Sequence, residues 1–455
     1  MRFDPHPYQR RAIAWVLSHP RCGLFMEMGL GKSICTLTAI QSLMDDLLIG
    51  RTLVVAPKKV AESTWSDEAS KWDHLSMRVS VVAGTPAQRV KALEADADLY
   101  VLGRDSVVWL ESLRKRPRFD MVVIDELTSF KSARSQRFKA MRKILKDTPR
   151  VVGLTGTPAP NGLLDLWAQI YCLDGGQRLG PFITRYRETY FNSVIHNNIP
   201  IRTWPKPGAE ETITAKISDI CFTMKAADYL ELPPLQIRDV PVALDRKTAE
   251  AYRLFERDRV AVFRAASGGG TVTAESAAAL VNKLAQYANG CVYDEEGREV
   301  EIHQSKTEML FELIEKAASP VLCFYAYRHD LRRIMERVPK GMKARAYGGA
   351  QDLRDWNAGK IDLLLAHPAS TAYGLNMQSG GHVIIWFSTG WNLELYQQAN
   401  ARLHRQGQQA PVTVYNLVAT GTVDERMAAA LAGKTESQDS VVRRLASDIA
   451  QTLRE

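Results

Sequence analysis

Residues 23–33, GLFMEMGLGKS, constrain this chain more than any other stretch. An apolar run leads into Gly29 and Gly31, then Lys32 and Ser33, and residues 34–48 read as a helix. Strand, glycine turn and helix in that order make a phosphate cradle. The glycines let backbone N–H groups turn toward an anion, the helix N-terminus adds partial positive charge, and Lys32 supplies a full one. The Ser33 hydroxyl is suited to Mg²⁺. The strict pattern has a glycine five residues before Gly31; this chain has Met26 there.

A cradle of this kind belongs to a parallel sheet, and the first half of the chain reads as one. Apolar runs starting at Gly23, Thr52, Arg78, Asp98, Asp120 and Arg150 alternate with helix-like segments. Their hydrophobicity is continuous rather than alternating, as in strands buried on both faces. Helices between such strands imply a parallel sheet with ligands at its carboxyl edge.

Two further segments end strands on that edge. VVIDE closes with Asp125 and Glu126, and burying carboxylates costs several kcal/mol unless they are paired or bound to metal. Opposite a phosphate cradle, Asp125 suits Mg²⁺, and Glu126 suits orienting or deprotonating an attacking water. The loop LTGTPAPNG, residues 154–162, places Thr155 and Thr157 where they can sense a terminal phosphate and pass its state on.

A second alternating pattern starts near Ser305, with apolar runs from Pro320, Lys343, Asp362, His382 and Val412. It has no cradle of its own, so its expected task is to close over the nucleotide held by the first half. Arg402 and Arg405, three residues apart in YQQANARLHRQGQ, share a face if they lie on a helix or at its end. A permanently charged guanidinium suits the charge that develops on a transferred phosphoryl group.

Composition narrows the setting. Of 455 residues, 45% are hydrophobic and 24% charged, and the net charge of +8 permits a polyanionic partner without requiring one. Six well-separated cysteines with no C-x-x-C pair suggest buried thiols rather than zinc ligands or disulfides. No apolar run approaches membrane-spanning length and the first residues lack a signal-peptide core, so a cytoplasmic, monomeric protein is expected.

Together these motifs resemble the superfamily 2 helicase-like ATPases, and among them the SWI/SNF-related DNA translocases. EMGLGKS is similar to that family's EMGLGKT. The segment 53–72 resembles its spaced Trp–Glu–Lys–Trp helix, DELTSFKSARSQ its DE-x-H segment, and LTGTPAPN its L-T-G-T-P-x-x-N loop. HPYQRRAIAWV resembles the entry helix, which implies that Gln9 reads the adenine edge with Tyr8 nearby. Residues 396–408 match Q-A-x-x-R-x-H-R-x-G-Q, implying roles for Gln398 in coupling and for His404 in orientation. Thr128 stands where the family has histidine, and Thr371 and Ala372 where it has paired glycines. Cys221, Phe222 and Thr223 stand before Lys225 where it carries paired arginines.

The resemblance implies two tandem RecA-like parallel-sheet lobes with ATP in the cleft between them: an ATP-binding lobe at 1–172, a helical linker region at 173–300 and a second lobe with a helical tail at 301–455. It implies ATP and Mg²⁺ as cofactors and DNA as partner, duplex favoured and single strands possible. Lys58, Lys59, Lys131 in the loop 129–134, and Thr371 are the candidate DNA contacts, as residues that touch phosphates should be. The basic run RKRPR at 114–118 reads equally as a DNA contact, a nuclear localisation signal or a solvated loop. The expected activity is duplex translocation. Strand separation and ATP-gated binding without turnover are the alternatives, and the size suggests a compact bacterial or phage protein.

Overall fold

The six apolar runs of the first half all become parallel strands: β1 (Arg21–Met26), β2 (Thr52–Ala56), β3 (Val79–Val82), β4 (Leu99–Gly103), β5 (Met121–Asp125) and β6 (Arg150–Thr155). A hairpin, β7 (Phe191–His196) with β8 (Ile199–Pro205), follows outside this sheet, and β9 (Cys221–Met224) then joins it beside β1. The order is β3-β4-β2-β5-β6-β1-β9. Every residue of β2 is buried, which is why its sequence shows no alternation. Leu53, Val55, Val122, Ile124 and Val151 pack with Phe138, Met141 and Ile144 of the helix Gln136–Lys146.

The second half repeats the plan. Its strands are β10 (Leu235–Val242), the small pair β11 (Cys291–Tyr293) and β12 (Glu299–Glu301), then β13 (Val321–Phe324), β14 (Ala344–Ala346), β15 (Leu363–Ala366), β16 (Val383–Trp386) and β17 (Val412–Ala419). Six of them form a parallel sheet in the order β10-β17-β16-β13-β15-β14. The expected α/β architecture with two parallel sheets is therefore what the chain adopts.

This computed structural model describes residues 1–432 apart from 157, 160–161, 197–198, 225–228, 230–231, 267–273, 372–374 and 391. The chain divides into two units, Met1–Glu231 and Leu232–Glu455, so residues 173–300, read as a linker region, are shared between them. Much of that stretch is regular: β9 completes one sheet, β10 edges the other, and the helices Arg246–Ala266 and Ala274–Ala288 follow.

The helix after the cradle differs from its expected bounds. It runs Lys32–Asp45 rather than 34–48, because Leu47 takes a left-handed φ of 56° and its neighbour Leu48 bonds back to the Leu43 carbonyl at 2.9 Å. Lys32 and Ser33 thus sit in the first turn, where backbone donors are unpaired within a helix. All six cysteines are buried and free. Among the described residues no helix is long and apolar enough to cross a membrane, and no three or more His, Cys, Asp or Glu side chains come together as a metal site of their own.

Candidate active site

Because β1, β6 and β5 are neighbours, their carboxyl ends bring the three strand-end motifs together. Phe25 pairs with Thr155, and Asp125 with Leu154. From β1 the chain turns through Gly29 and Gly31, with φ of 86° and 81°, into the helix Lys32–Asp45. A side chain at Gly31 would also put its Cβ 2.6 Å from the Gln9 amide nitrogen. The Lys32 ammonium folds back over the loop, 2.7 Å from the Met26 carbonyl and 3.4 Å from that of Glu27. Gly156, after β6, lies against the same ammonium: a Cβ there would be 3.7 Å from it.

The acidic pair has two different environments. Trp65 donates its indole N–H to the Asp125 carboxylate at 2.9 Å. Burial nonetheless pushes Asp125 up to about 6; the indole bond opposes this, the Glu126 charge adds to it, and Lys32 opposes it. Glu126 follows with a left-handed φ of 59°, a conformation costing a non-glycine residue about 1–2 kcal/mol. Its carboxylate accepts hydroxyl bonds from Thr128 at 2.9 Å and Thr155 at 3.3 Å. Thr128, in the place of the family's histidine, is thus a direct partner of Glu126.

A hard divalent cation fits the pair Ser33 and Asp125. Both offer oxygen, and a buried carboxylate pushed up to about 6 is one that added positive charge stabilises. Trp65 is the residue that reading by motif passed over. It opens the helix Trp65–Lys71, and its place in the spaced Trp–Glu–Lys–Trp segment was the available signal.

Gln9 joins the entry helix Pro7–Ser18 to the cradle. Its carbonyl accepts from the His6 N–H at 2.9 Å, and its amide reaches the Leu30 carbonyl at 3.4 Å. Beside it, His6, Pro7, Tyr8, Arg10, Arg11 and Tyr229 line a pocket. Arg11 donates to the Tyr229 hydroxyl at 2.8 Å and lies over its ring, while Tyr8 approaches that ring at 5.4 Å.

In the second unit Arg402 and Arg405 come after the helix Leu393–Asn400, in the turns that follow it. Each donates to the Leu375 carbonyl, at 3.2 and 3.0 Å, and Arg402 also holds the Gln398 carbonyl at 2.9 Å. The Gln398 amide itself bonds Glu394 at 3.1 Å. His404 bonds the Pro233 carbonyl at 2.9 Å, which suits an orienting role. Asn392 caps the helix through the Leu395 N–H.

A model of the SNF2-related domain matches residues 8–289. The p41 protein of Acyrthosiphon pisum secondary endosymbiont phage 1 is 36% identical over 443 residues, covering 93% of this chain and 94% of the relative. The chain belongs to the SNF2-related family. An ATP-dependent helicase of Mycoplasma pneumoniae is 24% identical, covering 97% of this chain but 42% of its own length. The DNA annealing helicase and endonuclease ZRANB3 of Mus musculus is 23% identical, covering 96% of this chain and 40% of itself. This chain therefore spans less than half of those two relatives. A Sulfolobus solfataricus SWI2/SNF2 ATPase core solved with dsDNA overlays with a TM-score of 0.46 at 20% identity, covering 100% of this chain and 97% of that one, too loose a likeness to bear on function. As an SNF2-related protein the chain is a helicase-like ATP hydrolase.

The remaining candidates of this SNF2-related chain are placed unevenly. Lys58 and Lys59 are exposed just after β2, Lys58 lying 3.9 Å from Glu62. Lys131 is half-buried and 3.7 Å from Asp165. Thr371 is fully buried with its hydroxyl on the Pro368 carbonyl at 3.1 Å, so this conformation does not offer it to a phosphate. Thr157, Ala372 and Lys225 lie outside the described residues.

One cluster was not foreseen at all. At the carboxyl ends of β13, β16 and β17, Lys306 is buried with its ammonium 2.5 Å from Asp424 and 2.8 Å from the Asn289 side-chain oxygen. The buried Asp330 accepts from Ser388 at 2.8 Å, from the Asn289 amide at 3.1 Å, and from the backbone N–H groups of Ala326 and Tyr327 at 3.3 and 3.0 Å.

Proposed function

We propose that this chain couples hydrolysis of Mg²⁺-bound ATP to movement along duplex DNA. The observation that carries the reading is the hydroxyl pair on Glu126. The carboxylate suited to activate water is tied to Thr155, which leads into the loop 156–162, and to Thr128, which leads into 129–134 and Lys131. A change at the terminal phosphate thereby has a short bonded route to the segment expected to touch DNA.

In this reading Gln9 receives the base, and the cradle amides and Lys32 receive the phosphates. Ser33 and Asp125 hold the cation, which when bound neutralises phosphate charge. Glu126 accepts the proton of the attacking water. Arg402 and Arg405 stabilise the charge that develops on the phosphoryl group, a contribution worth about 10³–10⁵ in rate where such arginines act. The relatives' names, two of them helicases, support nucleic acid as partner, and the phage relative supports a phage or bacterial setting.

ATPase rates measured with no nucleic acid, single-stranded DNA, duplex DNA and RNA test this directly. Duplex DNA should stimulate most, and Lys32→Ala and Glu126→Gln should abolish turnover, with Glu126→Gln still binding ATP. Equal rates in all four conditions would sink the proposal. Triplex displacement without strand displacement distinguishes translocation from unwinding.

A further inference from the structure

The basic run RKRPR, residues 114–118, has no task in the ATPase chemistry, and folding makes it part of a larger patch. Residues 113–150 hold twelve Lys and Arg against four Asp and Glu, an excess of +8. That equals the net charge of the whole chain, so the rest of the sequence is balanced and its basicity belongs to this stretch. Three of the four carboxylates are engaged elsewhere. Asp125 bonds Trp65, Glu126 bonds two threonine hydroxyls, and Asp120 accepts from the N–H groups of Gly50 and Arg51 at 2.8 and 2.9 Å.

Two ion pairs fasten the basic segments side by side. The Lys143 ammonium, on the helix Gln136–Lys146, holds Glu111 of the helix Val107–Ser112 at 2.8 Å. Arg116 of the basic run lies 3.8 Å from Asp147, at the end of the longer helix. That helix buries Phe138, Ala140, Met141, Ile144 and Leu145, so Lys139, Arg142, Lys143 and Lys146 come to its outer face at spacings of three and four. Arg114, Lys115, Arg118, Lys139 and Lys146 are exposed, and among the described residues none of them is in an ion pair. Attraction to the helix C-terminus accounts for the cations of the last turn, Lys143 and Lys146. It does not account for Lys139, or for Arg114, Lys115 and Arg118 on a separate loop.

The patch leads away from the nucleotide. Asp125 ends β5 at the carboxyl edge of the sheet, and the helix Gln136–Lys146 returns to the amino edge, where Met121 of β5 pairs with Arg150 of β6. Residues 114–118 come just before β5 and stand at that same edge. An eleven-residue helix is about 16 Å long, so the cations start beside the loop 129–134 and continue down the flank of the first unit. One partner chemistry suits such a surface. Protein interfaces are centred on apolar and aromatic side chains and depleted of lysine, whereas no large hydrophobic side chain of residues 113–150 is exposed. Single strands are held by exposed aromatic platforms, which this face also lacks. A row of fixed cations instead fits a duplex backbone, with a phosphate about every 3.4 Å along each strand.

We infer that the outer face of the helix Gln136–Lys146 and the run 114–118 form a second, sequence-independent contact for the backbone of duplex DNA, apart from the loop 129–134. This rests on DNA being the partner of the chain, and the test separates the two ideas. Affinity for a fluorescein-labelled duplex is read by anisotropy over a series of salt concentrations. The variant Lys115→Gln/Arg118→Gln/Lys139→Gln/Lys146→Gln is expected to bind about tenfold or more weakly at low salt, and its slope of log affinity against log salt to be shallower by about 2–4. The charge-keeping variant Lys115→Arg/Arg118→Lys/Lys139→Arg/Lys146→Arg should retain affinity and slope, because phosphates accept either cation. Four exposed lysines elsewhere provide the control, and Lys216→Gln/Lys247→Gln/Lys340→Gln/Lys343→Gln should change neither. The ATPase rate without DNA and the KM for ATP should match wild type throughout, which also reports intact folding. Wild-type affinity and slope in the first variant, or an equal loss in the control, overturns the inference and leaves DNA as the partner. A wild-type protein with no affinity for duplex DNA overturns both.

Discussion

Glu126 is the residue on which the chemistry turns, and its neighbours explain how it is held. A left-handed backbone is unfavourable for glutamate, and the two threonine hydroxyls on its carboxylate offset that cost while aiming the group. Thr128→Val removes one of these bonds to a charged group, of the kind worth about 1.5–3 kcal/mol. Turnover is expected to fall roughly tenfold or more with the KM for ATP little changed, and Thr128→Ser to retain activity; steady-state kinetics checks both. Asp125 gives a pH signature. Its carboxyl sits above the ordinary carboxylate value of 3.8, at about 6, so the folded nucleotide-free protein binds this proton more tightly than the unfolded chain does. The group's contribution to stability is therefore lost as pH rises through about 4 to 6. Binding of Mg²⁺ and ATP requires the anion and should strengthen over the same window. Asp125→Asn is expected to make the nucleotide-free protein more stable than wild type at pH 7, relative to pH 4.5, in urea unfolding, and to remove the Mg²⁺-dependent part of ATP binding. The sequence named both carboxylates because residue type and strand-end position reveal chemistry. It did not name Trp65 or Thr128 as their partners, because partnership depends on where a side chain lands, 60 residues away in the case of Trp65.

Elements were legible where burial on both faces leaves an unbroken apolar run. β2, β13, β15 and β16 are buried at every position and stood out for that reason. β10 is exposed along most of its length and contains Pro241, which an edge strand tolerates because one side makes no ladder bonds; its pattern is that of a connector. β9 is only four residues with mixed burial, too short for any period to show. Close packing in β6 is equally invisible from composition. A Cβ at Gly153 would come 2.7 Å from Leu127 and 2.9 Å from Leu173, so the strand that carries Thr155 lies tight against the elements on either side of its face. Gly153→Ala is expected to destabilise the first unit by about 1–3 kcal/mol, read as a lowered urea midpoint. It should also slow turnover, by shifting Thr155 from Glu126.

At the scale of the whole molecule, the chain builds two parallel sheets of one class. The absence of a cradle motif in the second half was readable, but not what stands at its strand ends, since Asn289, Lys306, Asp330, Ser388 and Asp424 are scattered over the sequence and meet only on folding. Lys306→Ala leaves Asp424 buried without its ammonium and is expected to cost about 3–5 kcal/mol in urea unfolding. Replacing both, Lys306→Met with Asp424→Leu, should recover much of that loss; if the double variant is as unstable as the single one, the pair is not what stabilises this corner. The Asp330 carboxylate carries a further consequence. It receives the N–H groups of Ala326 and Tyr327, the two residues just before the helix Arg328–Glu336, so a side chain in the first turn caps the helix that carries it. Asp330→Ala is therefore expected to leave those N–H groups without their acceptor and to cost about 1–3 kcal/mol in urea unfolding.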